Sequence, residues 1–136
     1  MADRVERVAY FRVMVPQRAG EGAKLLGALA DARVDLRAVH AFPQGRAAQV
    51  DVVPVNAGAF RRAAQRAGLR VGAAKRCFLV TGGDRVGALA SVMQRLAAAG
   101  INATATTALA GGRRWAAILW VKPAAYARAA RAIRAR

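Results

Sequence analysis

The chain repeats itself, and this constrains its folding more than any other feature. Phe11-Arg12-Val13 returns as Phe78-Leu79-Val80, Arg18-Ala19-Gly20 as Arg85-Val86-Gly87, and Val34-Asp35 as Ile101-Asn102, each pair 67 positions apart with no gap between them. Gly45 and Gly112 keep that step, whereas Phe60 and Tyr126 are 66 apart, so one residue has been lost in a loop while the pattern continues. A fixed internal period marks one folding unit used more than once. Two copies are too few for a solenoid, and each is near the lower size at which a domain folds alone. The 136 residues therefore read as two similar modules packed together, residues 1–74 and residues 75–136.

Hydropathy patterning gives both halves the same order of elements. Residues 8–15 are apolar and β-branched, a strand; residues 16–20 turn; residues 21–33 carry Leu25, Leu26 and Leu29 at helical spacing. Residues 34–42 and 47–55 read as strands joined by a turn at Gly45, residues 57–67 as a helix ended by Gly68, and residues 69–73 as a short closing strand. The second half repeats this with strand 75–81, helix 86–99, strand 101–109, a turn at Gly111-Gly112, strand 113–121 and a helix from Pro123 to the last residue. No closing strand follows that helix. The order βαββαβ then βαββα predicts an α+β fold of two ferredoxin-like repeats, antiparallel sheets with helices packed on one face. An unclosed second sheet has an open edge unless residues 69–73, the N-terminus or another chain covers it, and we expect a homodimer.

Composition excludes several classes. An apolar fraction of 56% buries enough surface to offset chain entropy. No apolar run approaches the roughly 18 residues of a membrane span, and the charged start Asp3-Arg4-Val5-Glu6-Arg7 has no leader pattern, so a cytoplasmic location is expected. Cys77 is the only cysteine; within an apolar run it reads as an inert core thiol. The formal charge of +16 would attract an acidic partner or nucleic acid, but the cations are nearly all Arg in a chain rich in Ala and Gly, which a compositional bias would also produce. Their placement suggests solvated helix faces: Phe60, Ala63, Ala64 and Ala67 point in with Arg61, Arg62 and Arg66 out, and Tyr126, Ala129, Ala130 and Ile133 point in with Arg128, Arg131, Arg134 and Arg136 off the stripe.

Catalytic equipment is thin. His40 is the single histidine and Ser91 the single serine, the seven carboxylates are scattered, and no Gly-Lys-Ser/Thr follows the glycine pairs. We expect no enzyme, no metal and no cofactor. The competing class is an RNA-recognition module, which shares the βαββαβ order and stacks bases on sheet aromatics. Arg113-Arg114-Trp115 to Trp120 falls on the appropriate strand, yet residues five apart point to opposite faces, so at most one tryptophan can serve as a platform.

The stretch Phe78-Leu79-Val80-Thr81-Gly82-Gly83-Asp84-Arg85-Val86-Gly87-Ala88-Leu89-Ala90, closing at Ala98-Ala99-Gly100-Ile101-Asn102, resembles the ACT domain, the small-molecule regulatory module of amino-acid metabolism. Its counterpart runs from Val13-Met14-Val15-Pro16-Gln17-Arg18-Ala19-Gly20 to Val34-Asp35. The resemblance covers almost the whole chain as a tandem pair, with departures at Ala19, Val86 and Gly22. It implies a sensor of an amino acid or similar small carboxylate, bound about the strand–helix turns, commonly at an interface between modules. The physical rationale is that a helix N-terminus favours a carboxylate and that Asp35 or Asn102 offers an oxygen to an α-amino group. Carried over, the candidate ligand-binding residues are Gln17, Arg18, Gly20 and Asp35 in one half and Asp84, Arg85, Gly87 and Asn102 in the other.

Overall fold

The computed structural model describes residues 3–136 and divides the chain into two compact units. The first is Ala9–Lys75; the second joins Arg76–Arg136 to the N-terminal residues up to Val8. Both are built from antiparallel strands and two α-helices, the α+β arrangement expected.

In the first unit, strand β1 (Arg4–Pro16, of which residues 9–16 belong here) is followed by helix α1 (Glu21–Asp31), the hairpin β2 (Leu36–Gln44) and β3 (Ala47–Pro54), and helix α2 (Ala57–Arg66). The strands lie in the order β2–β3–β1, with Val13 opposite Val50 and Val39 opposite Val52. Alternation sends Phe11, Val13 and Val15 of β1 and Val50 and Val52 of β3 into one core with Leu25, Leu29, Phe60, Ala63 and Ala64 of the helices. The Phe11 and Phe60 rings meet at 4.9 Å. Ala67, expected on the buried stripe, is exposed at the end of α2. The short strand expected at 69–73 reduces to a single bridge between Val13 and Val71. Gly68 and Gly72 bracket it, and glycine in an extended segment supplies no side chain to hold a ladder.

In the second unit the same order recurs as β4 (Lys75–Gly83), α3 (Ala88–Ala98), β5 (Ala103–Gly111), β6 (Arg114–Val121), a 3-10 turn (Pro123–Ala125) and α4 (Tyr126–Ala132). Phe78, Val80, Leu119, Val92, Leu96, Tyr126 and Ile133 form its core. Phe78 and Tyr126 stack at 4.4 Å, and the Tyr126 hydroxyl donates to the Cys77 carbonyl at 2.9 Å. The repeat extends to backbone detail: Val34 N–H bonds Leu29 O and Ile101 N–H bonds Leu96 O, both at 2.9 Å.

The strand order of this unit, β1–β4–β6–β5, shows where the closing strand that is absent after the last helix comes from. The N-terminal part of β1 supplies it. Val5 is 4% exposed in this core, and the chain's end is tied to the same segment by Arg7 N–H to Arg136 O and Arg136 N–H to Val5 O, both at 2.9 Å. The division between the halves falls at 75/76, one residue from the expected 74/75, but the described residues up to Val8 go with the second half. Two premises of the expected dimer change with it. The edge beside β4 is covered from within the chain, and Trp115 and Trp120 are 5% and 7% exposed, so neither leaves a large apolar surface. For the same reason neither is a base-stacking platform. Trp115 does point into the helix-side core, and Trp120 is not part of it, as their odd spacing requires.

Candidate functional site

Each unit places a tight turn between its first core strand and its first helix. Gly20 and Gly87 are the N-terminal caps of α1 and α3, at φ 90° and 81°, a backbone conformation that favours glycine. Space is open about both: no heavy atom lies within 4 Å of where a Cβ would sit. Neither helix has a side-chain cap; the first N–H of each bonds a turn carbonyl, Glu21 N–H to Arg18 O at 3.2 Å and Ala88 N–H to Arg85 O at 3.4 Å, and the next two, which have no acceptor within the helix, keep a partial positive charge toward the turn. The β-hairpin holds each turn in place. Gln17 N–H donates to Arg46 O at 3.3 Å in the first unit, and Asp84 N–H to Arg113 O at 2.9 Å in the second.

A cleft opens at each turn. In the first unit it measures about 270 Å³, bounded by Val15 to Ala19 of the turn, Gly22 of α1, and Ala41, Ala48 and Val50 of the hairpin. In the second it measures about 320 Å³, bounded by Asp84, Arg85 and Gly87, the start of α3, Ala108 to Ala110 of β5, and Trp115. The first is just below and the second at the small end of the range of about 300–1,000 Å³ for ligand sites, so either would take only a small molecule. Their charge differs. Arg18 is an exposed turn residue whose guanidinium pairs with Glu21 at 3.0 Å.

Arg85 is held more firmly. Its Nη1 and Nη2 donate to the two carboxylate oxygens of Asp3 at 2.9 and 2.8 Å, and Trp115 Nε1 donates to Asp3 Oδ1 at 3.1 Å. The Asp3 side chain is 4% exposed. The Arg85 hydrogen bond, with the Trp115 indole and the charge of Arg95, holds this carboxyl below the usual carboxylate range against the opposing effect of burial. The carboxylate fits because Gly82 of β4 lies beneath it: a Cβ there would overlap Asp3 Oδ1.

Solved structures of the same fold exist. A protein from Bacteroides thetaiotaomicron superposes with a TM-score of 0.81 at 13% identity, over 97% of this chain and 88% of that one. The ligand-free regulatory subunit of aspartate kinase from Thermus thermophilus superposes with a TM-score of 0.65 at 17% identity, over 98% and 93% of the two chains. That from Thermus flavus gives 0.57 at 21% identity, over 98% and 94%. The likeness is one of fold. No protein-family model matches the sequence, and no curated protein matches it.

Against this geometry the eight candidate residues separate. Gln17 and Arg18 line the first cleft, and Asp84, Arg85 and Gly87 the second. Gly20 shapes its turn without lining the cleft. Asp35 and Asn102 are exposed and line neither; Asp35 Oδ1 accepts the adjacent Leu36 N–H at 2.9 Å. Asp84 does not cap α3, since Gly87 is the cap. Sequence reasoning missed Asp3, Gly82 and Trp115 as site residues. Gly82 reads as a turn residue but belongs to β4, and nothing near Asp3 in the chain signals a partner 82 residues away.

Proposed function

We propose that the protein is a non-catalytic regulatory module that binds an amino acid or similar small carboxylate in the clefts at its strand–helix turns. The observation that carries this reading is the recurrence, in both units, of a small cleft beside a glycine-containing turn and a helix N-terminus that has no side-chain cap. A carboxylate set there meets backbone N–H groups and the positive end of the helix. Gln17 in one cleft and Asp84 in the other supply polar groups to the remainder of the ligand; Asp84, as a carboxylate, suits an ammonium. The regulatory part of the reading draws on the fold shared with aspartate kinase regulatory subunits, and on the tandem ACT resemblance in the sequence. A homodimer stays part of the proposal on a different footing from the sequence argument: β5 is an edge strand exposed along residues 104–111, with Leu109 at 69%.

The test is a thermal-shift screen of the twenty amino acids at millimolar concentration, followed by calorimetry on those that stabilise. Gln17→Ala and Asp84→Ala are expected to weaken the ligand at least tenfold at one cleft each, while His40→Ala, outside both clefts, leaves it unchanged. Absence of any stabilisation or heat overturns the reading.

A further inference from the structure

The Asp3 carboxylate is bound as a ligand carboxylate would be. It is almost wholly buried, receives two parallel hydrogen bonds from one guanidinium and a third from an indole, and rests on a glycine that leaves room for it. The fork-on-carboxylate geometry is the strongest an arginine makes. Both donors, Arg85 and Trp115, are also walls of the second cleft. The carboxylate comes from a residue just outside β1, whose nearest strand residue is Arg4.

The first cleft has no such arrangement. By the 67-residue step, Arg85 corresponds to Arg18, Trp115 to Ala48 and Gly82 to Val15. Ala48 has no donor, Val15 has a side chain where Gly82 leaves space, and Arg18 meets only Glu21 at the surface. The two clefts share their turn and differ in how an internal acid holds the arginine: Glu21 takes Arg18 by one contact at the surface, whereas Asp3 takes Arg85 by two and is buried.

We propose that Arg85 and Trp115 form a carboxylate-binding pair in the second unit, that Asp3 is its internal occupant, and that a small external carboxylate reaches this pair only by displacing Asp3. This rests on reading the clefts as carboxylate sites and adds their regulation. In the second unit a carboxylate that uses this pair binds more weakly by the cost of releasing Asp3, a cost with no counterpart in the first cleft. Displacement also unfastens the residue that precedes the strand Arg4–Val8, so occupancy of the second cleft loosens the edge of that unit's sheet.

Acetate is the probe, titrated against chloride at constant ionic strength, with the Trp115 indole N–H signal as the readout and Trp115→Phe to assign it. In Asp3→Ala the signal is expected to shift saturably at an acetate concentration at least tenfold below that needed in the wild type. Adding Arg85→Met to Asp3→Ala abolishes the effect. Asp3→Asn, which keeps the shape and loses the charge, shows the same ordering and serves if Asp3→Ala does not fold. Equal midpoints in wild type and variants, or saturation that survives loss of Arg85, overturn the proposal. Calorimetry with amino acids separates the two readings. Acetate tightening without amino-acid heat supports the internal occupant and removes the sensor function, whereas amino-acid heat with equal acetate midpoints does the reverse.

Discussion

Replacing Gly82 with alanine should evict Asp3 from its site. The new methyl group would overlap Asp3 Oδ1 and lie 3.0 Å from both Asp3 Cγ and Trp115 Nε1. Forcing it in with every neighbour fixed would cost about 1–3 kcal/mol, the usual range for overpacking. Asp3 is near the chain's start and can swing outward instead, so the cost is capped by the hydrogen bonds lost. Charge-assisted bonds contribute about 1.5–3 kcal/mol when buried and well under about 1 kcal/mol when solvent screens them; here the carboxylate is buried and its guanidinium partner is 44% exposed. We expect a loss of about 1–2 kcal/mol by urea denaturation, and a Tm lower by roughly 3–8 °C for a chain of this size. The decisive measurement is the double-mutant cycle with Asp3→Ala. In that background Gly82→Ala should cost at least about 1 kcal/mol less, because the group it displaces is gone. Equal costs in both backgrounds would refute the reasoning and place the strain at Trp115 or in the strand.

Arg33 and Arg134 each stand at φ 57°, where the other repeat has Gly100 and Gly68 at φ 72° and 69°; Arg33→Gly and Arg134→Gly should each raise stability by about 0.5–1 kcal/mol, since relief of left-handed strain exceeds the entropic cost of glycine, and a fall in the urea midpoint would contradict this. Tyr126→Phe removes the bond to the Cys77 carbonyl and should cost about 1 kcal/mol, leaving the stacked pair in the form its counterpart Phe60 already has. Asp3, held low by the Arg85 hydrogen bond and the Arg95 charge, contributes stability that is present above about pH 4, the carboxylate value in the unfolded chain, and is lost as pH falls through its lower folded value; Asp3→Asn should flatten that acid limb. Burial pushes the Tyr126 phenol up, so stability should fall as pH rises past about 10, and the fall should be smaller in Tyr126→Phe.

Particular residues show how far the amino-acid sequence could be read. The 67-residue step locates both strand–helix turns, because the glycines at 20 and 87 answer to a local backbone requirement, and local requirements leave local marks. Gln17, Arg18, Asp84 and Arg85 were legible for that reason. Asp35 and Asn102 line neither cleft: position in the repeat sets where they enter the sheet but not where a side chain turns, and the Asp35 carboxylate turns to the adjacent Leu36 N–H. The segment from Arg4 to Arg7 reads as a charged start, since Val5 is its only apolar residue and so short an alternation does not register as a strand.

What the sequence determined by itself is the unit of construction: two copies of a βαββ pattern with a second helix, their core faces, and the open turn before each first helix. These follow from periodicity and glycine, both functions of neighbouring residues. Tertiary structure alone decided which chain segment closes the second unit, and which acid meets Arg85. Asp3 and Arg85 are 82 residues apart, and nothing in the spacing of either predicts the other. A carboxylate near the start of the chain becomes a buried ligand only once β1 is laid beside β4, because that pairing removes it from water and brings it over Gly82, which has no side chain to exclude it.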